Sequence, residues 1–129
     1  MKYGHETAVE GKFDEIIDRT KAALAQRGFG VLTEIDVAAT LKKKIGAEIE
    51  PYVILGACNP TFAHQALQRE PDLGLLLPCN VVVMQKEGKT YVKAIDAGAM
   101  LGVTGNTDLI ALAGEVDSHL TATLQSLTS

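Results

Sequence analysis

The sequence predicts an α+β fold: a two-layer domain with a sheet of about five strands and helices mainly on one face, in the order β-α-β-α-β-α-β-β-α. Three observations carry this expectation. Apolar residues recur at three- and four-residue spacing near both ends of the chain, the mark of amphipathic helices. Between them lie short runs rich in Val, Ile and Tyr, punctuated by Gly, Pro and Asn, which read as strands and turns. Late in the chain Glu87-Gly88 joins two such runs as a relative of the Asp-Gly hairpin signal.

Taken in order, residues 2–8 (KYGHETA) read as a strand with Tyr3, His5 and Thr7 on one face. Residues 12–27 form a helix whose apolar stripe is Phe13, Ile16, Ile17, Ala23 and Leu24, and Gly28 supplies the left-handed position beyond its end. A strand follows over 29–35, with Phe29, Val31, Thr33 and Ile35 expected on one side. Asp36 then caps a short helix striped by Val37, Leu41 and Ile45 and ended by Gly46. The run 52–57 is apolar without alternation and is expected to be covered on both faces. Asn59 and Pro60 form a cap followed by proline at the first helical position. The helix so started is expected to bury Phe62, Ala63, Ala66 and Leu67 and to stop at Glu70-Pro71. An apolar connection leads to the strands 81–85 and 90–95. The uncharged stretch 98–105 reads as a flexible connector, and Asn106 caps a last helix with a seam of Leu109, Ala113, Val116, Leu120, Thr123 and Leu127.

Length and composition narrow the function classes. A chain of 129 residues is one domain, 1–129, able to bury roughly two-thirds of its unfolded surface. With aromatics at 5% and no Trp, its core is aliphatic. The net charge of −4 and a single basic run, Lys42-Lys43-Lys44, argue against nucleic acid and anionic membranes as partners. No run of about 18 apolar residues exists, and the first residues lack the apolar core of a secretory signal. The expectation is a cytoplasmic protein whose two cysteines are thiols. Because two-fold dimers are the commonest soluble oligomers, a homodimer is expected over a monomer.

The segments GACNP at 56–60, EPDLGLLLPCNVVV at 70–83 and LGVTGN at 101–106 resemble the signature segments of domain-of-unknown-function family 302. The likeness spans essentially the whole chain. It implies a compact α+β domain that forms a homodimer, and it implies no reaction.

Chemistry concentrates in the stretch 52–84, where Cys58-Asn59-Pro60 and Pro78-Cys79-Asn80 are near mirror images. Cys58 precedes a helix cap, so its sulfur lies near free N–H groups that favour thiolate, with Asn59 placed to orient it. Cys79 would be its neighbour if the two strand ends coincide. His64, six residues after Cys58, would turn the pair into a Cys-Cys-His set suited to zinc, with His5 or Asp96 completing it. Asn59, Asn80 and Asp96 are the candidate ligand contacts. The plainer readings stand beside these: buried Cys as a small hydrophobe, Asn capping its own turn, His64 as an exposed helix residue, and His119 as a surface partner of Glu115. The leading expectation is a small-ligand or metal-binding module with its site near the two Cys-Asn turns. A thiol-dependent redox or sulfur-transfer enzyme, with Cys58 as nucleophile and Cys79 as resolving thiol, and a structural homodimer without site chemistry are the alternatives.

Overall fold

The computed structural model describes residues 1–128. It consists of β1 (Gly4–Val9), α1 (Phe13–Gln26), β2 (Gly30–Asp36), α2 (Val37–Ile45), β3 (Tyr52–Cys58), α3 (Pro60–Arg69), β4 (Cys79–Lys86), β5 (Lys89–Ile95), α4 (Ala97–Gly102) and α5 (Ile110–Ser126). Two 3-10 turns, Pro71–Leu75 and Thr107–Leu109, complete it. The fold is the α+β arrangement the sequence predicts, with one short helix, α4, where a connector was expected. Asp96 explains that helix: its Oδ1 accepts from the Ala99 N–H at 2.9 Å, a cap that outweighs the glycines following it.

The five strands form one antiparallel sheet in the order β1-β5-β4-β3-β2. The β4–β5 hairpin turns through Glu87 and Gly88, both at positive φ (53° and 79°), the conformation of a type I′ turn. One face of the sheet, with Val53, Leu55, Val81, Val83, Val92 and Ala94, packs under α1 and α5. The seam expected on the last helix is buried in full, and Leu112 and Leu124 widen it. No helix among the described residues is long and apolar enough to cross a membrane.

Several faces differ from expectation. A bulge between Val31 and Thr33 in β2 splits the strand, so Val31 pairs with Ala57 while Thr33 and Ile35 pair with Gly56 and Ile54 of the opposite sheet face. Strand β3 is covered by helices on one face only, and Tyr52 and Ile54 are half-buried on the other. Helix α2 lies at the sheet edge, where it buries no residue and leaves Ile45 73% exposed. Leu67 of α3 is exposed as well, since that short helix turns only Ala66 fully inward.

Candidate functional site

At one end of the sheet, β3 and β4 finish side by side, and their sequences decide what meets there. Ala57 pairs with Cys79, so Cys58 is one residue from register with the second thiol. Gly56 makes the approach possible. A Cβ at that position would stand 2.9 Å from Pro78 Cγ and would overlap the Thr33 side chain. The Leu77-Pro78 peptide just before is cis. Beyond β3, Asn59 starts α3 by accepting from the Phe62 N–H at 3.2 Å, as its sequence position predicts. Its amide Nδ2 donates to the Arg27 carbonyl at 3.4 Å and so ties α3 to the end of α1.

These segments, together with α4 and α5, line an apolar pocket of about 40 Å³. Cys58, Asn59 and Cys79 lie in its wall among Phe29, Leu73 and Val116. Both cysteines are free thiols. Burial pushes the Cys79 thiol up to about 11, and the neighbouring Cys58 and Asp117 act in the same direction. Cys79 therefore stays protonated at neutral pH.

The other expected members of the site lie elsewhere. His64 is exposed on α3 and does not border the cavity, so Cys58, Cys79 and His64 do not assemble as a ligand set. The reason is helical geometry: six residues after Cys58, at the start of a helix running away from the strand end, the ring faces solvent. Asn80 alternates with Cys79 along β4 and opens onto the opposite sheet face, so the two Cys-Asn pairs are mirror images in sequence only. Asp96 does not line the cavity either.

Asp96 belongs to a second cluster on the far side of Ala97. Its Oδ2 lies 3.5 Å from His5 Nε2, which is also 3.3 Å from Asp117 Oδ1. Asp117, from the middle of α5, accepts from the N–H groups of Ala97 (2.6 Å) and Gly98 (3.0 Å). Among the described residues, these three form the group of His, Cys and carboxylate ligand atoms that come within 4.8 Å of one another.

The family model of a domain of unknown function, DUF302, matches residues 5–127. The chain belongs to the DUF302 family. A crystal structure of an uncharacterized conserved protein DUF302 from Bacillus stearothermophilus is similar to it, with 30% identity over 97% of this chain and 98% of that one and a TM-score of 0.92. No curated protein matches the chain.

Asp117 and His119 of this DUF302 chain depart from the sequence expectations, which do not include the first and place the second on the surface. Asp117 stands one turn after Ala113 at the edge of the α5 seam, and a carboxylate in that half-buried position was its only signal. His119 is not a surface partner of Glu115: its ring lies 5.7 Å from that of Phe62, and its Nδ1 is buried without a hydrogen-bond partner among the described residues.

Proposed function

We propose that this DUF302 protein is a small-ligand binding module whose ligand places an apolar group of a few heavy atoms in the cavity between Cys58 and Cys79. The almost wholly apolar lining carries the reading. A cavity of about 40 Å³ exceeds the ~10–15 Å³ one water needs. It falls well short of the ~300–1,000 Å³ of a drug-sized pocket. An apolar wall also gives water few partners, so an apolar group is the favoured guest. The raised Cys79 pKa weighs against the alternative that needs its free thiolate, a resolving thiol in exchange chemistry. Two free thiols are in keeping with a reducing, cytoplasmic setting.

The test is native mass spectrometry of untagged protein, with NMR under xenon pressure as the second arm. A co-purifying small molecule, or xenon-induced shifts at Ala57, Ala66 and Ala97, is expected in the wild type. Ala66→Leu, which fills the cavity, should abolish both. A wild type that carries nothing and shows no xenon shifts at these residues would sink the reading.

The same reading includes a homodimer joined through the sheet face that the helices leave open. That face presents Ile35 and Ile54, and beside them a groove of about 220 Å³ lined by Tyr3, Val82, Met84 and Ile95 together with Asn80 and Lys93. Sheet faces pack on one another at about 10 Å, and a two-fold pairing would bury the same patch on both copies. Sedimentation equilibrium should give a dimer for the wild type and a monomer for Met84→Lys with unchanged circular dichroism. A wild type that stays monomeric at high concentration would rule this assembly out.

A further inference from the structure

We propose that His5, Asp96 and Asp117 hold a divalent metal ion at the junction of β1, β5, α4 and α5, a site separate from the thiol cavity. The three residues come from distant parts of the chain: His5 from β1, Asp96 from the end of β5 and Asp117 from α5. Their relative exposures, 30%, 29% and 22%, describe a site open to solvent on one side.

Distances separate this reading from a simple ion pair. A charge-assisted hydrogen bond between an imidazolium and a carboxylate spans about 2.7–2.9 Å. His5 Nε2 is 3.3 Å from one oxygen and 3.5 Å from the other. The Asp117 contact is a long hydrogen bond, and an Nε2–H shared between it and Asp96 is weak to both. An ion about 2.0–2.2 Å from each donor in tetrahedral geometry sets donor separations of about 3.3–3.6 Å. The two separations from His5 fall in that range, and all three donor atoms lie within 4.8 Å of one another, so one cation would reach all three groups.

The surroundings orient the donors as outer-shell partners orient metal ligands. Asp96 Oδ1 is held by the Ala99 N–H, which leaves Oδ2 toward His5. Asp117 Oδ2 is held by Gly98 N–H, and its Oδ1 is steadied by Ala97 N–H on the His5 side. Gly98 has no side chain to crowd them: a Cβ there would lie 3.1 Å from Asp96 Oδ1 and 3.4 Å from Asp117 Oδ2. Two carboxylates with oxygens within 4.8 Å of each other repel, and a cation between them adds to the relief that the Ala97, Gly98 and Ala99 N–H groups give. One imidazole with two carboxylates suits a first-row divalent ion such as zinc, and three protein ligands leave a coordination position for water or substrate.

The experiment uses the 129-residue chain stripped with chelator, in the Cys58→Ser/Cys79→Ser background so that thiols cannot contribute. Calorimetric titration with zinc should show one site per chain, and cobalt(II) should give a visible ligand-field band without sulfur-to-metal charge transfer. His5→Gln keeps the size of the side chain and leaves the α4 cap untouched. It should weaken zinc binding by at least about a hundredfold, since even outer-shell changes cost roughly ten- to a hundredfold. Circular dichroism should confirm that this variant folds. No zinc binding in the thiol-free background, or binding that His5→Gln leaves unchanged, would overturn the proposal.

Discussion

Iodoacetamide is expected to leave Cys79 of the native protein all but unlabelled at neutral pH, at least about a hundredfold slower than the same thiol in urea. The factor follows from ionisation, because only the thiolate attacks. A thiol held near 11 instead of its ordinary 9.0 has about a hundredth of the thiolate at pH 7. At 8% exposure the remaining thiolate is also hard to reach, so the true ratio should be larger. The same shift ties stability to pH. Folding makes Cys79 a weaker acid, so the folded state holds the proton more tightly than the unfolded chain does. Below about pH 9 both states are protonated and the group has no effect. As pH rises from 9.0 toward 11 the unfolded chain ionises first, and stability falls by about 3 kcal/mol once both states are ionised, at ~1.36 kcal/mol per unit. Urea melts at several pH values should show this alkaline loss in the wild type and not in Cys79→Ala, whose other titrating groups are unchanged. Rapid native labelling of Cys79, or equal alkaline losses in both proteins, would mean that the thiol is not desolvated as the fold implies.

Gly56→Ala should be the costliest single methyl group in the chain. The added Cβ would meet the Pro78 ring at 2.9 Å and the Thr33 side chain on its other side. Thr33 can rotate away, whereas the ring and the β4 backbone behind it cannot move without disturbing the pairing of Ala57 with Cys79. Overpacking of this kind costs roughly 1–3 kcal/mol. For a chain of this length that corresponds to a fall in melting temperature of about 5–10 °C. Gly30→Ala is the control, because a Cβ there has nothing within 4 Å and its φ is not positive. The two variants should differ clearly in thermal melts, and the loss at Gly56 should shrink when Thr33 is also Ala. Equal melting temperatures for Gly56→Ala and the wild type would show that the β3 and β4 ends can separate without cost.

Element by element, the chain announced itself where its signals are local. Asn59-Pro60, Asp36 with Gly46, and Glu87-Gly88 act over two to five residues, and each does in the structure what its chemistry dictates. The α5 seam was legible because helical periodicity needs no partner to be seen. Strand faces were harder: the bulge after Val31 depends on what β3 offers across the ladder, and nothing within β2 declares it.

Fold class, order of elements, caps and turns, the aliphatic core and the nomination of Cys58 and Cys79 are all legible in the chain before it folds. Each of these follows from residue type and short-range spacing. That the two thiols share one cavity, that His64 and Asn80 face away from it, and that His5 meets Asp96 and Asp117 emerge with packing. Those outcomes are distances between segments up to 112 residues apart, set by sheet order and helix docking. Side-chain chemistry names candidates for a site, and the packing of distant elements chooses among them.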